Sequence, residues 1–185
     1  MKKLVSVLLA VLFIFAAFSG CGNTEENKVY IGEGKMTVLR SLVSTNGFIA
    51  DEIFGSAHLP VDMSKTITQD NLTFAPVVSD KIGSYAELEA LLNSVYTEDV
   101  VNTLLNETKK YVEIDGVLYF DIQYEQSETK KKYDWSEFEI EYDKTTEEGN
   151  QIFEISLKKT NGWKSKIEIE TVDIGGMPRL CGFYS

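Results

Sequence analysis

The chain has 185 residues, a length for one domain or one domain with a tail. Apolar residues make up 43% and charged residues 25%, with 10 Phe, 9 Tyr and 2 Trp, which excludes a wholly disordered chain. Asp and Glu number 29 against 18 Lys and Arg, a net charge of -11. That balance sets the molecule as a whole against nucleic acid and anionic membrane surfaces, while 2 Cys and 1 His exclude a Cys/His zinc site built from this chain alone.

Met1-Lys2-Lys3 is a short basic start, and Leu4 to Phe18 is apolar except for Ser6. This is the length of a signal-peptide hydrophobic region and short of the ~20 residues of a spanning helix. The run ends in Phe18-Ser19-Gly20-Cys21, which resembles the lipobox of bacterial lipoproteins, with Phe18 where Leu is usual. The resemblance implies a signal peptide over residues 1–20, cleavage before Cys21, and diacylglyceryl and palmitate-type acylation at Cys21. The protein would then sit lipid-anchored on the extracytoplasmic face of the cell membrane. An ordinary secretory signal with an incidental Cys, or an uncleaved anchor, are the alternatives. Residues 21–35 are polar and rich in Gly, Asn and Glu, and read as a flexible tether. With Cys21 lipidated, Cys181 has no partner in the chain; its apolar surroundings read as those of a buried, unreactive thiol.

Residues 36–185 read as a single α+β domain. Leu39, Leu42, Val43, Ala50, Ile53 and Phe54 recur at three- and four-residue spacing and predict a helix over about 36–55, with a kink at Asn46-Gly47 and a stop at Gly55. Residues 56–72 predict a loop, and Phe74 to Val78 a short extended segment. Ser84-Tyr85-Ala86-Glu87 is a capping box opening a helix that buries Leu88, Leu91, Leu92 and Val95. Thr97, followed by Glu98 and Asp99, predicts the start of another helix, with Val100, Val101, Leu104 and Leu105 as its stripe.

Strand patterns then take over. Asp115-Gly116 and Asn161-Gly162 are two-residue hairpin signals. Phe138 to Tyr142 alternates apolar and acidic residues, and Leu180 to Tyr184 predicts a last strand. Two or three helices followed by an antiparallel meander predict helices packed on one face of a curved antiparallel sheet.

Motifs for chemistry are few. Residues 21–185 hold no nucleophile elbow, zinc-protease helix, phosphate-binding loop or calcium loop, so no catalytic residue, metal site or cofactor is expected. His58 reads as a lone surface residue. Glu137, Glu139 and Glu141 read as a solvated strand face. Gln123 to Asp134 is longer than a hairpin requires and carries mixed charge with aromatics at both ends. It is either a solvated loop, with strands running further into it, or a recognition loop on a rigid sheet.

The succession Phe74-Ala75-Pro76-Val77, Ser84 to Leu92, Val95-Tyr96-Thr97-Glu98, Tyr111 to Tyr119, Trp135 and Gly162-Trp163-Lys164 resembles the IseA family of DL-endopeptidase inhibitors. The resemblance covers about residues 72–170. It implies a cystatin-like or NTF2-like fold and an extracellular regulator of a cell-wall hydrolase of the NlpC/P60 type, whose loop enters the enzyme cleft. The loop position here spans Tyr124 to Tyr133, with Lys130-Lys131-Lys132 and no glycine where the family has an acidic, glycine-containing stretch. The contact residues it implies are Tyr124, Glu125, Glu128, Tyr133, Asp134 and Trp135. The protein partner is then a cell-wall hydrolase, the membrane is reached only through the lipid anchor, and nucleic acid is not a partner. Two other functions remain open: an NTF2-like small-ligand carrier or sensor with its Phe and Tyr lining a pocket, and an envelope interaction module without one defined partner.

Overall fold

The computed structural model describes residues 31–55, 57–124 and 132–185, and residues 31–185 form one compact unit. The fold is α+β. Its helices are α1 (Glu33–Ile49), α2 (Tyr85–Val95) and α3 (Glu98–Asn102). Its strands are β1 (Ile67–Gln69), β2 (Leu72–Pro76), β3 (Tyr111–Ile114), β4 (Val117–Asp121), β5 (Tyr133–Thr145), β6 (Gln151–Lys159), β7 (Lys164–Ile174) and β8 (Met177–Leu180). The expected curved antiparallel sheet is present and is divided into two four-stranded sheets, ordered β1-β2-β4-β3 and β5-β6-β7-β8.

The helices cover the sheets. Helix α1 lies against β5 and β8, and α2 lies against β3 and β8. Leu39, Leu42 and Val43 of α1 and Leu88, Leu92 and Val95 of α2 share one core with Leu118 and Phe120 of the first sheet and Phe153, Ile155 and Ile169 of the second. A backbone hydrogen bond from Thr97 N to Leu180 O, 3.0 Å, ties the end of α2 to the edge of the second sheet.

The local signals behave as their chemistry requires. Glu87 N donates to Ser84 Oγ at 3.2 Å, and the Glu87 carboxylate accepts from Gly83 N at 2.7 Å, so two amides before the first turn's ladder are satisfied. Thr97 precedes α3 without a side-chain cap. Asp115 and Gly116 both have positive φ, 53° and 77°, as a type I′ turn demands.

Four expectations need correction. Helix α1 begins at Glu33, within the expected tether, and runs through Asn46-Gly47 without a break before a π-helical turn over Ala50–Phe54. Asn46 is a buried hub there: it donates to Tyr184 O (2.8 Å) and accepts from Tyr96 Oη (2.8 Å) and Tyr184 N (3.3 Å). The expected loop 56–72 contains a short 3₁₀ turn at Met63–Lys65 and strand β1. Asp70 and Asn71, at φ 52° and 66°, make a hairpin turn without glycine, which is why its signal is faint. The last strand ends at Leu180 rather than beginning there, because Gly175-Gly176, both at positive φ, turn the chain back earlier.

Candidate functional site

The site implied by the sequence lies where the chain passes from the first sheet to the second. Residues 125–131, with Glu125 and Glu128, lie outside the described residues, as does Cys21. The two ends of that connection are described, and each is fixed by its own packing.

At the first end, β4 stops in a turn. Asp121 is buried; its carboxylate accepts from Gln123 N at 2.9 Å and its carbonyl from Tyr124 N at 3.1 Å. Tyr124 is half-buried, and its ring lies 5.3 Å from the ammonium of Lys110. Lys110 itself is fully buried. Its Nζ donates to Ala57 O at 2.9 Å and also faces the rings of Phe54 (6.0 Å) and Phe120 (5.9 Å). Burial pushes its pKa down to about 8, because a low-dielectric surrounding disfavours the charged form. The ring faces and the carbonyl return part of the lost hydration. His58 belongs to the same cluster: its ring stacks on Phe120 at 4.2 Å, and its Nδ1 is 2.7 Å from Leu59 O. It is thus packed rather than a lone surface side chain. Beneath it, the Tyr111 hydroxyl donates to Ile53 O (3.1 Å) and accepts from Leu59 N (2.9 Å), holding the chain between α1 and β1 against the sheet.

At the second end, Lys132 is exposed and its ammonium sits 4.9 Å from the Tyr133 ring. Tyr133 and Trp135 are both buried and meet edge to face, ring centroids 5.7 Å apart. Trp135 lies directly on α1: a Cβ at Gly47 would fall 2.5 Å from Trp135 Cβ and Cγ. Gly47 is therefore a docking notch in a helix that carries on past it. A bulge aims the ring. The pairing with β6 jumps from Asp134↔Lys158 to Phe138↔Leu157, so three residues of β5 loop out. Asp134, exposed, shapes that bulge by accepting from Ser136 N (3.0 Å) and Ser136 Oγ (2.6 Å).

Of the contact residues implied by the sequence, Tyr133 and Trp135 serve as core anchors of the returning strand, Asp134 shapes its bulge, and Tyr124 is half-covered by the Lys110 cluster. Glu137 pairs with Lys158 at 3.3 Å, whereas Glu139 and Glu141 face solvent. Cys181 is half-buried, and burial pushes its thiol pKa up, away from the reactive thiolate. Among the described residues, no three His, Cys, Asp or Glu come together as a cation site.

Three open clefts border these anchors. One of about 380 Å³ lies beside Tyr124 and Phe54, and one of about 560 Å³ beside Gly47 and Trp135. The third, about 880 Å³, runs between Arg40 and Ser44 of α1 and the β6–β7 hairpin. Sequence reasoning missed Lys110 and the Gly47–Trp135 seat, because Ala57 and Phe54 at Lys110, and Trp135 at Gly47, lie more than fifty positions away. The hairpin had a visible signal: Lys158-Lys159-Thr160-Asn161-Gly162-Trp163-Lys164-Ser165-Lys166 holds four lysines and no carboxylate. No protein-family model matches the chain, and no curated protein matches it significantly.

Proposed function

We propose that this protein is a membrane-anchored, extracytoplasmic inhibitor of a cell-wall DL-endopeptidase of the NlpC/P60 type, and that residues 124–132 are its contact segment. The observation that carries the reading is the separate fixing of the segment's two ends. Tyr124 is held at the Lys110 cluster on the first sheet, and Tyr133 and Trp135 are locked into α1 on the second. A binding segment whose ends are already ordered loses less conformational freedom on docking, so more of its contact energy appears as affinity. The resemblance of residues 72–170 to IseA-like inhibitors supports the same assignment, and the lipobox-like Phe18-Ser19-Gly20-Cys21 supports anchoring through Cys21. With Tyr133 and Trp135 committed to the core, the contact falls to Tyr124, Glu125, Glu128 and the lysines up to Lys132.

The test is steady-state hydrolysis of peptidoglycan by a purified NlpC/P60 endopeptidase with increasing amounts of the full chain. Saturable inhibition is expected. Full activity at every concentration of the protein overturns the proposal. The anchor is tested separately: Cys21→Ser is expected to abolish lipid labelling and to leave the precursor unprocessed, and a normally processed, membrane-retained variant contradicts it.

A further inference from the structure

The second sheet carries a cluster of lysines at the tip of its β6–β7 hairpin. At one end, the β6–β7 hairpin carries Lys158, Lys159, Lys164 and Lys166 with no carboxylate in the stretch between them. Lys132 adjoins them, since Thr160 N donates to Lys132 O at 3.4 Å. At the other end, β5 closes with Asp143, paired with Lys144 at 3.2 Å, the β5–β6 turn holds Glu147 and Glu148, and the end of β7 holds Asp173. The nine residues of β6 separate the two ends by roughly 30 Å. That is about four Debye lengths at physiological salt, so the carboxylates that count at the hairpin are the nearer ones: Asp134, cross-strand from Lys158, Glu137 and Glu139 of β5, and Asp51 and Glu52 of the turn after α1, which line the clefts beside it. Lys158 and Lys166 pair with Glu137 and Glu154, while among the described residues Lys159 and Lys164 have no carboxylate partner.

At the tip of that hairpin stands Trp163, 74% exposed, the most exposed large apolar side chain among the described residues. Its neighbour Gly162, at φ 86°, makes the turn that projects it, and Trp163 O accepts from Lys159 N at 2.7 Å. The tip protrudes instead of lining an enclosed cavity, so it suits a surface better than a small ligand. An indole flanked by lysines has the composition of a headgroup-level anchor: the ring enters the interface while the ammonium groups stay at the phosphates. Chain length agrees. Cys21, the expected lipid attachment point, lies ten residues before Ile31, a span of at most ~35 Å.

We propose that the Trp163 hairpin docks the domain onto an anionic phospholipid surface. The net charge of -11 opposes adsorption of the molecule as a whole, so docking is confined to the hairpin tip, where Trp163 stands between Lys159 and Lys164. Each lysine at such a surface strengthens binding roughly five-fold, so Lys159 and Lys164 alone supply about 25-fold. Because Lys132 joins residues 125–131 to this same hairpin, docking and engagement of a protein partner compete for one end of the molecule; this consequence alone rests on the inhibitor reading.

The experiment uses the full chain reconstituted into phosphatidylcholine vesicles with and without phosphatidylglycerol. The two vesicle types are compared at equal protein loading, and the readout is Trp163 emission, obtained by subtracting the Trp163→Phe spectrum that retains the buried Trp135. A blue shift, with quenching by brominated lipid, is expected only on the anionic vesicles, and it should disappear at high salt. Replacing Lys158, Lys159, Lys164 and Lys166 by Gln is expected to abolish the shift while leaving the melting temperature in place. The single Lys164→Gln, expected to weaken the shift about five-fold at limiting phosphatidylglycerol, keeps the test decisive if the quadruple variant misfolds. Identical Trp163 emission on the two vesicle types overturns the proposal, as does a shift that survives the lysine replacements. Protection of Trp163 by a soluble acidic polymer but not by anionic vesicles would also overturn it, by assigning the hairpin to a protein or glycan partner.

Discussion

The two sheets treat cationic and aromatic side chains in opposite ways. The first sheet, with strands of three to five residues, folds Lys110 inside and surrounds its ammonium with Phe54, Phe120 and Tyr124. The second sheet, with strands of up to 13 residues, sends its lysines and Trp163 to the tip of a hairpin and keeps Trp135 in the core. The same residue types thus become structural cement in one place and an exposed tip in the other. What separates them is the depth that the backbone gives each position, which residue type alone does not encode.

The sharpest way to break this comparison is to truncate each tryptophan. Trp135→Ala empties a buried site against Gly47 and is expected to cost about 3–5 kcal/mol in chemical denaturation. A loss under 1 kcal/mol would mean that Trp135 does not lock β5 to α1.

The Lys110 cluster is tested through pH. The native pKa, about 8, lies below the ordinary 10.5, so between these values the unfolded chain binds a proton that the folded chain has released. Stability therefore rises with pH across that window, and the penalty of burying the charge is fully present below it. Relative to Lys110→Met, the wild type is expected to gain ~3 kcal/mol between pH 8 and 10.5. A constant difference between the two proteins would place the ammonium in contact with water.

Smaller effects refine the picture. Ser84→Ala removes the acceptor for Glu87 N and is expected to cost ~1 kcal/mol, measured by denaturant titration. Trp163→Ala should change stability by no more than ~0.5 kcal/mol, since three-quarters of the residue is already in water. A larger loss would show the hairpin tip to be part of the core and would remove its role as a contact surface.

These positions also show what the sequence could and could not reveal. Ser84-x-x-Glu87, Asp115-Gly116 and Asn161-Gly162 were legible because each structure is closed by residues within four positions of one another. The helical stripes of α1 and α2 were legible because periodicity reports the buried face. Asn46-Gly47 misled: Asn and Gly are helix-weakening in isolation, but here one is the hub for Tyr96 and Tyr184 and the other makes room for Trp135. The aromatic ends of the segment from Gln123 to Asp134 read equally well as recognition residues or as parts of the flanking strands. Only the placement of α1 and the Lys110 cluster distinguishes the roles of Tyr133 and Trp135 from that of Tyr124. The division into two sheets was hidden because the first sheet is closed by pairing β2 with β4 across α2 and α3, whereas the second is a meander of sequential strands.

The proposed inhibitory contact has its largest part in residues 125–131, between Tyr124 and Lys132. The most direct measurement compares inhibition of a purified NlpC/P60 endopeptidase by the full chain and by a variant in which residues 125–131 are replaced with a Gly-Ser linker of equal length. Unchanged thermal unfolding is expected, because Tyr124, Tyr133 and Trp135 keep their seats, together with a loss of most of the inhibition. Equal inhibition by the two proteins, at equal stability, would contradict it.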